Sequence, residues 1–240
     1  MRYKIELCYK GTNYSGWQRQ PNAITIQQIL EDSFNLIFRD KLEITGCGRT
    51  DAGVHAKYYV AHFDSEKIYN HVSVKKLNNY LPEDIAIFDI TPTNEDFHAR
   101  FSAKSRTYEY ILITKKNPFD YGLSLYVAKP LNLDLINEAL LKLFDYTDFT
   151  SFSKLHTDVK TNNCKILKAG IKNQDNKIII HITADRFLRN MVRAIVGTLI
   201  EVGLGKINIS DFCKIIESRN RGNAGKSVSA DGLFLTKIKY

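Results

Sequence analysis

Polar and apolar residues alternate at the start of the chain. Tyr3, Ile5, Leu7 and Tyr9 are separated by Lys4, Glu6 and Cys8. That period of two predicts a half-buried strand, broken by Gly11 and Gly16. The period then lengthens: Ile26, Ile29, Leu30, Phe34 and Ile37 follow helical spacing, with Thr25 and Gln28 as a capping box. Leu42, Ile44 and Gly46 begin a short strand that enters the loop Gly48-Arg49-Thr50-Asp51-Ala52-Gly53. Tyr59 to Phe63 resumes strand character, Val74 to Tyr80 reads as a helix, and Ile85, Ile87 and Phe88 form a strand before Pro92.

A second round follows. Thr107 to Ile113 reads as a strand with Tyr108, Tyr110 and Leu112 on one side, and Asn132 caps a helix from Leu133 to Phe144. Lys165 to Ile171 and Lys177 to Ile182 pair as a hairpin around Asn173-Gln174-Asp175-Asn176. A strongly apolar helix covers roughly Phe187 to Val202 and stops at Gly203. Ser210 opens a short helix and Leu233 to Tyr240 gives a last strand. Strict strand–helix alternation is absent, which favours an α+β fold with an antiparallel sheet. The expected boundary lies near residues 96–104, giving halves 1–100 and 101–240. Two comparable halves are also compatible with one continuous sheet and a cleft across its middle.

Length and composition narrow the class. The chain has 240 residues, 44% hydrophobic and 25% charged, a balance typical of globular domains with a full core. No apolar run reaches bilayer-spanning length, and the alternating start does not resemble a signal peptide, so a cytoplasmic protein is expected. The four cysteines, Cys8, Cys47, Cys164 and Cys213, are scattered and form no C-x-x-C pair; they read as ordinary buried thiols. Residues 1–100 hold 12 Lys and Arg against 13 Asp and Glu, whereas residues 101–240 hold 22 against 13. The second half therefore carries the whole positive excess. Such a field attracts polyanions, nucleic acid first and membrane surfaces second, although a solubilising surface charge would look the same.

Several familiar motifs fail. Gly222-Asn223-Ala224-Gly225-Lys226-Ser227 imitates a phosphate loop, but Asn220 stands where that loop needs its first glycine. Gly203-Leu204-Gly205 follows a helix, not a strand. No H-x-E with P-C-x-x-C and no G-x-S-x-G is present. Any chemistry is expected to use common side chains, with neither metal nor nucleotide cofactor.

The 48–53 loop is the candidate site. Gly48 and Gly53 permit backbone conformations other residues resist, and Asp51 sits between them with Arg49 and His55 close by in sequence. A carboxylate there can act as a nucleophile at an electrophilic sugar carbon if a cation keeps it ionised; the local pattern by itself favours a tight turn in which Asp51 bonds its own backbone. On the expected helix from Phe187, Arg186, Arg189 and Arg193 fall within an arc of about 60°. That stripe suits phosphate or carboxylate recognition, or an ordinary solvated face. Tyr108 and Tyr110 share a strand face that can stack on unpaired bases or belong to the core. Trp17, within Gly16-Trp17-Gln18-Arg19-Gln20, has the same two readings.

Together these segments resemble the TruA-type tRNA pseudouridine synthases. Gly48-Arg49-Thr50-Asp51-Ala52-Gly53-Val54-His55-Ala56 matches that family's catalytic block without a gap. Tyr14, Gly16 to Gln20 and Gln27 match its N-terminal block. Phe97 to Ala103 with Arg106 and Tyr108, Asp148 to Phe152, and Met191-Val192-Arg193 with Ile195-Val196-Gly197 follow in family order. The resemblance implies that Asp51 is the catalytic aspartate and Tyr108 the aromatic that stacks on the target base. It implies that Arg193 pairs with the carboxylate and Arg49 holds the nucleotide flipped out. Arg186, Arg189, Trp17 and Arg19 are further candidates for RNA contact. The implied fold is two similar α+β halves sharing a mixed, mainly antiparallel sheet flanked by helices, with the active cleft between them. A homodimer acting on uridines 38, 39 and 40 of the tRNA anticodon stem-loop is implied, with no cofactor, metal or membrane partner. Two departures stand out: segment 224–230 lacks the family's prolines, and Arg189 and Asn190 replace the histidines that often precede Met-Val-Arg. A non-catalytic RNA-binding module would share the charge and the tyrosines but give Asp51 no task. A nucleoside hydrolase would release free uracil.

Overall fold

The computed structural model describes residues 1–154, 161–174 and 176–240. They form two compact units. The first comprises Met1–Lys104 with Phe234–Tyr240, and the second comprises Ser105–Leu233. In both, mostly antiparallel strands are flanked by helices.

The first unit contains β1 (Arg2–Tyr9), α1 (Ile26–Phe38), β2 (Thr45–Gly46), β3 (His55–Asp64), α2 (His71–Tyr80) and β4 (Ile85–Thr93). Strands β4, β1 and β3 are antiparallel neighbours, and β2 pairs with β3. The last strand, β9 (Leu233–Lys239), lies parallel to β3, with His55 opposite Phe234. Alternation in β1 does what it predicts: Tyr3, Ile5, Leu7 and Tyr9 are buried while the intervening side chains are half-exposed. Phe34, fully buried on α1, meets Phe63 and Tyr69 edge-on at 5.1 and 5.3 Å between ring centres. Such pairs add to the area they bury. Thr25 caps α1 through one bond, from the Gln28 N–H at 3.4 Å, rather than a full box. Leu42 and Ile44 are buried but precede the two-residue β2.

Strand β4 does not stop at Pro92. It runs on to Thr93, with Pro92 opposite Tyr3. A strand bonded on one side only has no use for the missing N–H, and β4 is the outermost strand of this unit. A bulge opposite Glu6 and Leu7 skips Phe88, which is why Phe88 is exposed while Ile87 and Ile90 are both buried.

The second unit contains β5 (Ser105–Ile113), β6 (Leu125–Tyr126), α3 (Leu133–Lys142), β7 (Ile166–Gln174), β8 (Lys177–Ala184), α4 (Met191–Gly203) and α5 (Ile209–Glu217). Strand β8 lies between β5 and β7, antiparallel to both. Asn132 caps α3 by accepting from Leu135 N–H at 3.1 Å. The hairpin is tighter than its composition suggests. Asn173 and Gln174 belong to β7, opposite Ile178 and Lys177. Asn176 takes a left-handed φ of 65°, and Asp175 lies outside the described residues. Asn208, not Ser210, opens α5, in a capping box with Asp211.

Helix α4 starts later than the apolar pattern from Phe187 suggests. It begins at Met191, because Asn190 has a φ of 68°, which no helix interior accepts. Phe187 to Arg189 therefore precede the helix, and Arg186, Arg189 and Arg193 do not form a stripe on it. Of the cysteines, Cys47 and Cys164 are buried and Cys8 and Cys213 only half so, and none of the four is in a disulfide. Burial pushes the Cys164 thiol up to about 12. Among the described residues no helix is long and apolar enough to cross a membrane.

Candidate active site

The 48–53 loop is held by residues that approach it too closely for side chains. Gly16 has a φ of 87°, and a Cβ there would lie 2.3 Å from the Thr50 carbonyl oxygen. A Cβ on Gly11 would lie 2.0 Å from the Val54 oxygen. Backbone bonds complete the fit: Trp17 N–H to Thr50 O at 3.3 Å, Gly53 N–H to Tyr14 O at 3.2 Å and Val54 N–H to Asp51 O at 3.2 Å. The last closes a turn around Asp51, with Gly53 at a φ of 79°. Tyr9 and Thr50 hydroxyls bond at 2.9 Å, and Gly11 N–H donates to His55 Nδ1 at 3.0 Å. His55 is thus buried behind the loop, stacked on Phe234 at 4.6 Å, and serves as scaffold. Asp51 itself is half-buried and Arg49 exposed.

Trp17 is 2% exposed and stacks on Tyr59 at 4.1 Å, while the Tyr59 hydroxyl donates to Gly48 O at 2.5 Å. The sequence left Trp17 two readings, and the structure gives it to the core. Its ring stacks against Tyr59 and supports the loop. Arg19 is bonded to Glu31 at 2.9 Å and Asp32 at 3.5 Å, so any phosphate would compete with two carboxylates. Beside the loop is a cavity of about 170 Å³ whose lining includes Trp17, Gln18, Glu43, Gly48, Arg49 and Arg100. Arg100 had no assigned role in the sequence reading. Only its proximity to Arg49 in space singles it out. The buried pair Gln27 and Glu31 was also missed as a unit, though two polar residues four apart on an otherwise apolar helix face signal it. Glu31 Oε1 accepts from Gln27 at 2.9 Å and from Ile44 N–H at 3.1 Å, which ties α1 to the strand leading into the loop.

The remaining candidates lie in the second unit. Tyr108, on β5 opposite Ile182, is half-buried and meets Phe187 edge-on at 5.0 Å. Tyr110 on the same strand is fully buried and donates to Ser229 O at 2.9 Å, so of the two tyrosines only Tyr108 retains exposed surface. Burial raises the Tyr110 hydroxyl to about 12. Arg193, in the first turn of α4, donates its Nε to Val228 O at 2.8 Å while Val228 N–H returns to Arg193 O at 3.2 Å. Segment 224–230 needs no proline to lie along α4. Gly225 N–H bonds Thr198 Oγ1 at 3.0 Å, Asn190 donates to Ser227 at 2.6 Å, and Arg221 holds Ser227 at 2.8 Å. Gly197 permits the approach, since a Cβ there would be 1.9 Å from Lys226 O. Arg186 is half-buried and Arg189 exposed. The block Asp148 to Phe152 is structural: Asp148 accepts from Thr150 and pairs with Arg219 at 3.1 Å, and Ser151 bonds Ile215 O at 2.6 Å.

Comparison with known proteins decides the family. One family model, described as tRNA pseudouridine synthase, matches the chain twice, over residues 8–102 and 146–240. The chain belongs to the tRNA pseudouridine synthase family. Among relatives named tRNA pseudouridine synthase A, that of Parabacteroides distasonis is 51% identical over 241 residues, covering 100% of this chain and 96% of the relative. That of Bacteroides fragilis is 51% identical with the same coverage, 100% and 96%. A more distant one, from Clostridium acetobutylicum, is 40% identical, covering 99% of this chain and 98% of the relative. The double match gives this family member its two halves, each α+β. Among the described residues no group of three or more His, Cys, Asp or Glu side chains could hold a metal ion.

Proposed function

We propose that the chain isomerises uridine to pseudouridine in tRNA, at positions 38, 39 and 40 of the anticodon stem-loop. The observation that carries this reading is full-length kinship with the synthases, combined with a loop around Asp51 built to a fixed shape by Gly11, Gly16 and Gly53. Atoms balance within the substrate. The ribose C1′–N1 bond breaks, C1′–C5 forms, C5 gives up its proton and N1 gains one. Nothing is oxidised or hydrolysed, so the proposal needs no cofactor.

Residues 1–100 supply the carboxylate and residues 101–240 the stacking and cationic groups. Asp51 engages the extruded nucleoside. Arg193 keeps it ionised against desolvation, its guanidinium steadied at Nε by Val228. Tyr108 stacks on the target base, repaying part of the unstacking cost of a few kcal/mol, and Phe187 fixes its ring plane. Arg49 holds the flipped nucleotide from the first half. Arg186 and Arg189 meet tRNA phosphates from the segment before α4. We further propose a cytoplasmic homodimer with tRNA lying across both subunits.

The test is incubation of purified protein with tRNA transcripts, followed by mapping of modified uridines. Pseudouridine at positions 38–40 is expected. Uracil release, or unmodified tRNA bound without conversion, would overturn the reading in favour of a hydrolase or a binding module.

A further inference from the structure

Two histidines outside the site described above hold the turn that carries Arg100. His62 lies on β3, 6% exposed, and its Nδ1 accepts the Ala99 N–H at 3.2 Å. His98 Nδ1 accepts the next two N–H groups, from Arg100 at 3.2 Å and Phe101 at 3.3 Å. Three consecutive backbone donors thus end on imidazole nitrogens. The rings also form a column. His62 and His98 are 4.8 Å apart, His98 and Phe101 4.3 Å, and the Arg100 guanidinium lies 5.5 Å above Phe101. The column runs from the buried sheet outward to Arg100, which lines the cavity beside Arg49. An imidazole nitrogen accepts only while unprotonated.

We propose that His98, backed by His62, is a positioning residue for RNA binding: uncharged, the pair holds the 99–101 turn and keeps Arg100 at the cavity beside the Asp51 loop, and protonation releases it. This rests on the reading of the chain as a tRNA-binding synthase. The charged groups around the pair include Arg2, Asp64 and Arg100, and Lys4, paired with Glu6 at 2.7 Å, lies opposite His62 in the β1–β3 register. Arg2 is paired with Asp64 at 2.8 Å and donates to the Phe97 carbonyl at 3.1 Å. Burial, with Arg2 and Arg100, lowers the pKa of His98 below the usual histidine value. Burial, His98 and Arg2 lower that of His62 to about 4, against the opposing pull of Asp64 and the Thr45 backbone. Both are therefore acceptors at neutral pH.

The sign separates this role from plain electrostatics. An added positive charge near an RNA surface would tighten binding on acidification, whereas loss of the two His98 tethers weakens it. The experiment measures the tRNA dissociation constant at fixed ionic strength from pH 8 to pH 5. Wild type is expected to weaken about tenfold below pH 6.5. His98→Asn, whose amide oxygen can accept at any pH, should hold its affinity across the range, and His98→Ala should be weak already at pH 7.5. Tighter binding in acid, equal in wild type and His98→Asn, would overturn the proposal. An NMR titration of the protein alone makes the result independent of RNA. The Arg100 and Phe101 amides, which end on His98, should shift together with a midpoint below 6.5 in wild type and stay put in His98→Asn. Amides unmoved in wild type would contradict the role, whereas moving amides with no tRNA binding at any pH would fault the synthase reading instead.

Discussion

Gly16→Ala tests how the Asp51 loop keeps its shape. The new Cβ faces two costs. At a φ of 87° an L side chain is strained, by about 1–2 kcal/mol. It would also sit 2.3 Å from Thr50 O and 3.1 Å from the Asp51 carbonyl carbon, contacts that overpacking data place at about 1–3 kcal/mol. Together these give roughly 3 kcal/mol, or a fall in Tm of about 6–12 °C for a chain of this size. Gly205→Ala isolates the first cost, because Gly205 has a φ of 67° but nothing within 4 Å of its Cβ position. It should lose about 1 kcal/mol and keep full activity. Because Gly16 presses on Thr50 and Asp51, its alanine variant should also lose tenfold or more in kcat while still folded, since small displacements of reacting groups are costly. Thermal melts and single-turnover conversion of tRNA, measured well below both melting points, make the comparison. Equal losses of stability in the two variants, with activity intact in both, would refute the role assigned to this close approach.

Other consequences are open to measurement. His62 has a lowered pKa of about 4, so the unfolded chain takes up its proton first and stability falls as pH drops from 6.5 towards 4. The loss is about 3 kcal/mol once both states are protonated. Urea midpoints that do not fall across that window would contradict it. Arg189→Ala should weaken tRNA binding several-fold at low salt and lessen the salt dependence by about one counterion, with little effect on folding. An unaltered binding constant at low salt would count against a phosphate contact there.

Much of this architecture is legible in residue order, and the failures have physical causes. The alternation Tyr3 to Tyr9 and the cap at Asn132 are local signals, and local structure obeys them. Strand β4 overran Pro92 because an outermost strand makes no demand on that N–H, a fact of sheet order that proline alone does not reveal. The start of α4 was misplaced because Phe187 and Leu188 continue the apolar pattern, while only the backbone shows Asn190 turning left-handed. The arginine stripe fell with that turn. At the site, the glycine-flanked Asp51 loop was visible, but what Gly11 and Gly16 press against was not. A missing side chain does not name its neighbour. Arg100 was hidden for the same reason, since its place beside Arg49 depends on a turn tethered to His62 and His98.

The central claim is that the Asp51 carboxylate performs the isomerisation, and Asp51→Asn measures it most directly. The substitution is nearly isosteric and leaves the Val54 N–H to Asp51 O turn intact, so folding and tRNA affinity should stay within about twofold of wild type. Single-turnover formation of pseudouridine should fall by about a thousandfold or more. A variant that converts uridine at the wild-type rate would contradict the account.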